Sequence, residues 1–318
     1  MQRIVGGAEY ELRVLAGRQM MGVGFEQFRQ SLRIHGGLAG LLTAVAGVHL
    51  SRMPIPGPHL RKKVYSIVYG KKYGALRDEE LEKPLTSFRS LNELFARGVR
   101  DELRPVSQES GVLLSPVDGM VQDTGLITDS TVLTVKQIPY KIQSICPETD
   151  TQSFNQGQFA ILFLSPRDCH RVYAPADCRL LRAVHVPGYR LPVHPPFQRA
   201  EYPVFTLNER LILELQTEWG RVLLIMVAGW GVGCMTHPFP LPLKHSRRSV
   251  TGCKLSPPKA FVRGEWLATF ELGSTVILMT ENGRALRCLL PLNGTTRLRQ
   301  PLFQMADPDK RIAGGVAE

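Results

Sequence analysis

The residues best able to do chemistry are Gly273 and Ser274, inside Phe-Glu-Leu-Gly-Ser-Thr-Val-Ile-Leu (270–278). A Gly–Ser bond in a strand-like run holds a hydroxyl within reach of the carbonyl that precedes it. If that bond is strained and the hydroxyl activated, the chain cuts itself and remakes Ser274 as a new prosthetic group. Alone, Gly-Ser-Thr is a common turn entering a strand. Other residues must carry the distinction.

Three clusters qualify. Ser115-Pro-Val-Asp118-Gly119 sets an acid at a tight turn behind a short apolar run, a position that turn chemistry alone often fills. The segment 168–173, Asp-Cys-His170-Arg-Val-Tyr173, brings an acid, a thiol, an imidazole and a phenol together after the strongest strand signal, 159–164. Pro187-Gly-Tyr-Arg-Leu-Pro-Val-His194 is rich in turn residues and is followed by Asn208-Glu-Arg210. Adjacent residues on a strand face opposite ways, so Cys169 and His170 are not expected to share one nucleophilic site. Ala228-Gly-Trp-Gly-Val-Gly233 lacks the Lys-Ser/Thr and the helix of a phosphate loop.

The elements that must position these residues are short strands. Apolar runs at 112–114, 131–135, 159–164, 180–186, 210–215, 222–227 and 275–279 alternate with Gly and Pro, which predicts a β-rich core. The first hundred residues read as helical. Ser90-Leu-Asn-Glu93 is a capping box opening a short helix with Leu91, Leu94 and Phe95. The fold class is α+β, a β-rich core behind a helical, basic N-terminal segment.

Composition narrows the partners. The chain has 318 residues, 43% of them hydrophobic, and mean hydropathy near zero, which suits a globular protein with a large core. Six scattered cysteines, with no Cys-x-x-Cys pair, give neither a zinc site nor a disulfide framework, so no metal is expected. The formal charge of +11 is concentrated at the front, where residues 1–75 hold eleven Lys and Arg against three Glu. Such an end faces an anionic partner. Residues 36–48 are apolar but too short to span a bilayer, which takes about 20 residues. In 60–72, Leu60, Val64, Ile67 and Val68 keep helical spacing while Arg61, Lys62, Lys71 and Lys72 crowd the rest, as in a helix lying in a lipid interface. No aromatic platforms interleave with basic strands, so nucleic acid is not an expected partner. Glu9 and Glu11 interrupt any signal-peptide pattern.

Taken in order, Ser-Phe-Arg-Ser-Leu-Asn-Glu-Leu-Phe-Ala-Arg (87–97), Arg104-Pro105, Ser-Pro-Val-Asp-Gly (115–119), Leu-Ser-Pro-Arg-Asp-Cys-His-Arg-Val (164–172), Pro187-Gly188, Asn-Glu-Arg (208–210) and Leu-Gly-Ser-Thr (272–275) resemble the phosphatidylserine decarboxylase family. The resemblance implies a self-processing enzyme in which Ser274 attacks the Gly273 carbonyl. Cleavage between Gly273 and Ser274 then leaves a pyruvoyl cofactor on the small chain 274–318, which stays with the large one. Such a carboxy-lyase converts phosphatidylserine to phosphatidylethanolamine, with the ketone as electron sink.

By position, Asp118 matches the acid that assists self-cleavage and His170 the histidine linked to decarboxylation. Tyr173 departs from the pattern, standing where the family carries the histidine that activates the serine. A phenol with pKa near 10 is a poor base at pH 7 beside an imidazole near 6.5. His194, where the family usually has Asn, is the substitute base to test. The alternative is an unprocessed, inactive membrane-bound relative. The organisation implied is 1–84 as a helical membrane-associating segment, 85–303 as the catalytic domain and 304–318 as a loose tail. The implied location is peripheral, on the cytoplasmic face of a bacterial cell membrane with an anionic surface, and a homodimer is one assembly it allows.

Overall fold

The computed structural model describes residues 28–29, 32–33, 37–70, 76–128, 132–135, 138–194, 198, 203–229, 235–241, 243, 249–271, 274–281 and 286–305. They divide into two compact units at Leu50/Ser51. In the first, Leu38–Ser51 forms a helix that leaves Leu38, Leu42, Val45 and Leu50 exposed.

The second unit is built on strands β1 (Val112–Leu114), β2 (Gly119–Leu126), β3 (Val132–Val135), β4 (Ile138–Lys141), β5 (Gln158–Leu164), β6 (Arg171–Tyr173), β7 (Cys178–Val186), β8 (Arg210–Thr217), β9 (Gly220–Ala228), β10 (Met235–Thr236), β11 (Thr251–Phe261), β12 (Trp266–Phe270), β13 (Ser274–Thr280), β14 (Leu286–Cys288), β15 (Thr295–Thr296) and β16 (Pro301–Met305). Eight of them form an antiparallel sheet in the order β11-β7-β8-β9-β13-β5-β2-β15. Successive residues of a strand point to opposite faces, and in this sheet both faces are buried. Leu162, Leu164, Leu224, Met226, Val276 and Leu278 join a core completed by the small sheets β1-β16-β14 and β10-β12-β6. Ile161, Phe163, Ile225, Val227, Ile277 and Met279 join the other, under the β3–β4 hairpin and the short helices Ile142–Ile145 and Val204–Leu207. Two-sided burial explains why the central strands read as continuous apolar runs rather than alternating ones.

The predicted runs at 112–114, 159–164, 180–186, 210–215, 222–227 and 275–279 all fall within strands. Thr131 lies outside the described residues, and 132–135 is strand. The sequence reading missed β11, which carries Pro257 and Pro258. It is the edge of the large sheet and its register slips between Lys254 and Lys259, where missing amide donors are tolerated. Gln304 and Met305, assigned to the tail, complete β16, with Gln304 opposite Val112. The remainder of the tail lies outside the described residues.

A third cluster joins the helix Pro58–Val68 to the strands' approach. Tyr65 and Tyr69 pack with Leu81, Phe88 and Leu94, and the Tyr65 hydroxyl donates to the Phe88 carbonyl at 2.7 Å. The capping box forms as expected: Glu93 N–H donates to Ser90 Oγ at 3.1 Å. The Glu93 carboxylate takes the Arg89 N–H at 2.7 Å and meets Lys83 Nζ at 2.6 Å.

The amphipathic stripe is corrected in detail. Tyr65 and Tyr69 make the buried face, while Leu60 and Ile67 stay 46% and 48% exposed. Arg61 turns inward, donating to the carbonyls of Ile55 and Thr86. Lys71 and Lys72 lie outside the described residues. No helix among the described residues is long and apolar enough to cross a membrane.

Candidate active site

The recognised segments meet at one end of the large sheet. Ser274, the first residue of β13, stands in register with Leu164, the last of β5, and with Ala228, the last of β9. The Ala228 N–H donates to the Glu209 carbonyl at 2.9 Å, which extends the row to β8. On the other side, Gly119 opens β2 against β5. A Cβ there would come 2.5 Å from the Phe163 carbonyl oxygen, a backbone atom that cannot move aside. Asp118, Leu164, Ser274, Ala228 and Asn208 are therefore neighbours along a single sheet end, although 156 positions separate Asp118 from Ser274 in sequence. The backbone of Ser274 is described, its side chain is not, and Leu272 and Gly273 lie outside the described residues.

Asp118 is buried and fully used as an acceptor. Arg104 Nε and Nη2 reach its two oxygens at 3.1 Å each, and the Leu298 N–H donates to Oδ1 at 2.8 Å. Arg104 also meets Glu80 at 3.1 Å. The sequence reading included Arg104 in a motif without giving it a role. Its role is to hold this acid, and the nearby Pro105 was the signal that drew attention to the segment.

His170 is completely buried, with its ring stacked on Phe95 at a centroid distance of 3.8 Å. Its Nδ1 lies 3.0 Å from the Asp168 carbonyl oxygen, which can only accept, so Nδ1 carries the proton. Nε2 is then a lone pair, and it is buried without a hydrogen-bond partner. Burial, with the charge of Arg97 in second place, pushes the imidazole down to about 3, so the ring is neutral at pH 7. The His170 carbonyl accepts from the Phe270 N–H at 2.9 Å, tying this segment to β12, four residues ahead of Ser274.

Cys169 turns the other way. Its thiol packs with Tyr173 and Leu298, faces the Arg97 carbonyl at 3.5 Å and is pushed up by burial to about 11. It is no nucleophile at neutral pH, which agrees with the expectation that it and His170 do not form one site. Tyr173 donates its N–H to Pro116, and its ring lies under Arg299 at 4.8 Å. Burial drives its phenol further above the ordinary tyrosine range. Among the described residues no hydrogen bond joins Tyr173 to Asp118.

His194 is exposed, with its ring edge-on to Phe163 at 5.0 Å. Phe163 is the register partner of Thr275 and belongs to the core opposite that of Leu164. His194 therefore sits on the Phe163 face of the sheet, away from the face of Leu164 that also carries Val276. The loop bearing it is fastened by Asn208. That side chain donates to the carbonyls of Leu191 and Ala228 at 2.8 Å each and accepts the Leu191 N–H at 3.0 Å. Gly188 lies so close to the 207–209 backbone that a Cβ would meet the Leu207 oxygen at 2.4 Å. These contacts give Pro187-Gly188 and Asn208 a shared positioning role. Trp230 lies outside the described residues. Among the described residues no group of His, Cys, Asp and Glu could hold a metal ion.

A model of the family described as phosphatidylserine decarboxylase matches residues 91–303. The chain is similar to the phosphatidylserine decarboxylase proenzyme of Legionella pneumophila (strain Corby), at 31% identity over 221 residues, 68% of this chain and 77% of that protein. The proenzyme of the strain Philadelphia 1 is 30% identical over 250 residues, covering 77% and 86%. That of Francisella tularensis subsp. holarctica (strain LVS) is 31% identical over 216 residues, covering 66% and 75%. The matched span contains Asp118, His170 and Ser274.

Proposed function

Because the chain belongs to the phosphatidylserine decarboxylase family of carboxy-lyases, we propose that it decarboxylates phosphatidylserine through a pyruvoyl group generated by cleavage at Gly273–Ser274. The observation that carries this reading is the sheet end where the backbone of Ser274 lies between Leu164 and Ala228, with Asp118 at the turn into β2 beside β5 and the His170 carbonyl bound to the Phe270 N–H, four residues before Ser274. The buried, unpartnered Nε2 of His170 is an acceptor, so it fits a donor such as the ammonium group of the substrate and not the ketone itself, whose oxygens only accept. When formed, the pyruvoyl group would supply an electrophilic ketone able to capture the substrate amine and so provide a sink for the electron pair left by carbon dioxide.

The chain's own residues do the rest. His170, neutral and held by the Asp168 carbonyl, offers Nε2 as the site where a proton is taken up or returned. Asp118, fixed by Arg104 and the Leu298 N–H, orients the turn that abuts β5. Paired neighbours on both sides restrain Ser274 at the start of its strand, and the small chain 274–318 would stay attached through seven β13 register pairs to β9. We also place the protein at an anionic bilayer surface, because Leu60 and Ile67 project from the helix Pro58–Val68 on the side that carries Lys63, and Lys62 is exposed as well.

One observation favours a second reading. Asp118 is engaged by Arg104 and not by an imidazole, and Tyr173 is occupied elsewhere, so the relay that would activate Ser274 is incomplete. On that reading the chain stays whole and binds lipid without turning it over. Intact mass spectrometry separates the two. Fragments 1–273 and 274–318, the smaller ending in a ketone in place of an amine, support the pyruvoyl enzyme, and a single mass of 35.5 kDa after long incubation supports the inert relative.

A further inference from the structure

A cavity of about 260 Å³ opens beside Asp118, with Arg77, Arg97, Arg104, Arg167 and Arg297 in its wall. That is many times the roughly 15 Å³ that one water requires. Its walls come from the loop before β6, the β15 turn and the segment around Arg97. Arg97 is 3% exposed, and its guanidinium donates only to backbone carbonyls: Leu94 at 3.1 Å, Asp168 at 3.2 Å and Arg167. Arg167 and Arg297 also line the cavity and are exposed. Among the described residues no carboxylate pairs with any of these three.

The acids on the same wall are already satisfied. Asp118 and Glu80 are bound by Arg104, and Asp168 accepts from the Ser165 N–H and hydroxyl at 2.7 Å each. A second, independent feature points the same way. Thr296, 1% exposed, lines the cavity with a buried hydroxyl that has no hydrogen-bond partner. A buried guanidinium without a counter-ion is costly, and so is an orphaned hydroxyl. One anion with several acceptor oxygens relieves both.

We propose that this cavity is a phosphate-binding site, with Arg97, Arg167, Arg297 and the Thr296 hydroxyl as its donors. The site goes beyond the decarboxylase reading, because it exists whether or not Ser274 has been processed. Its occupant is a phosphate group, carried either by the headgroup diester of a phospholipid or by free inorganic phosphate.

Isothermal titration calorimetry on the purified full chain tests this, with inorganic phosphate and with glycerophospho-L-serine as probes. Phosphate is expected to bind. The double variant Arg167→Gln/Arg297→Gln is expected to weaken binding by about tenfold or more, as the loss of charge-assisted hydrogen bonds requires. Both residues are exposed, so the fold is not at risk, and Thr296→Val keeps the shape while removing one donor. Tighter binding of glycerophospho-L-serine, with a raised KM for phosphatidylserine and unchanged kcat in the double variant, marks the headgroup as occupant. Equal binding of the two probes with KM unmoved marks free phosphate. Absence of heat with both probes, or identical affinities in parent and variants, overturns the proposal. Calorimetry reads an uncleaved chain as well as a cleaved one, so failure here is distinct from failure of self-processing.

Discussion

If the chain processes itself as proposed, Tyr173 is the residue to alter first. Its phenol is raised further above its ordinary range by burial, so at neutral pH it holds its proton and cannot relieve a serine hydroxyl of its own. Replacing it with histidine supplies an imidazole that is unprotonated at pH 7 and can accept a proton. Tyr173→His is expected to speed cleavage at Gly273–Ser274 by about a hundredfold, at the lower end of what a positioned base gives. The smaller ring leaves space beside Cys169 and Leu298, with a stability loss of about 1–3 kcal/mol. A time course of the two fragments on a gel reads the rate. His194→Ala, altering a residue on the Phe163 face, is expected to leave that time course unchanged, and a slowed one would reinstate His194 as the base.

His170 makes a separate prediction in pH. Burial lowers its pKa from 6.5 to about 3, so the folded ring stays neutral where the unfolded one is protonated. Between those values the unfolded state binds about one more proton, and stability rises with pH. The contribution of the neutral ring is complete above pH 6.5 and is lost as pH falls toward 3. Proton uptake on unfolding in this window is expected to drop by about one in His170→Gln. Equal uptake in the two proteins would mean that the folded ring is already protonated.

At the scale of elements, the site depends on how the ends of β2, β5, β8, β9 and β13 are kept level. Asn208 is the fastener: three hydrogen bonds from one side chain join the loop at Leu191 to the last residue of β9, itself beside Ser274. Asn208→Leu fills a similar space but strands the Leu191 N–H and two carbonyls. It is expected to lower stability by roughly 2–4 kcal/mol in a urea melt and to slow cleavage. Cleavage at the parent rate would show that the loop is not needed to position the strand end. The central strands were legible in the sequence because burial on both faces makes their apolar runs unbroken. β2, β11 and β16 were not, since Gly, Pro and polar residues interrupt their apolar runs, although only β11 is an edge strand and β16 is the middle of its sheet. The partners of the site residues were equally hidden. Asp118 and His170 stood out by type and spacing, but Arg104, Phe95 and Asn208 acquire meaning only when distant segments meet.

For the whole molecule, the remaining question is how a chain with no spanning helix among its described residues reaches a lipid whose tails stay in the bilayer. Packing decides which side of the helix Pro58–Val68 is free. Tyr65 and Tyr69 are committed to the third core cluster, which leaves Leu60 and Ile67 about half exposed, with Lys63 three and four residues from them on the same side and Lys62 also exposed. Burying those half-exposed side chains in the interface contributes about 1 kcal/mol each, and each lysine near an anionic surface contributes about 1 kcal/mol. The apolar part is indifferent to salt, whereas the lysine part is screened beyond roughly 10 Å at moderate ionic strength. Sedimentation with phosphatidylglycerol vesicles therefore separates them. Leu60→Ser/Ile67→Ser is expected to weaken binding by roughly tenfold to thirtyfold at any salt concentration. Lys62→Gln/Lys63→Gln is expected to weaken it by a similar factor in dilute buffer and hardly at all in high salt. Parent-like sedimentation of both variants would move the attachment to another surface, and the exposed apolar side of the helix Leu38–Ser51 would be the next to alter.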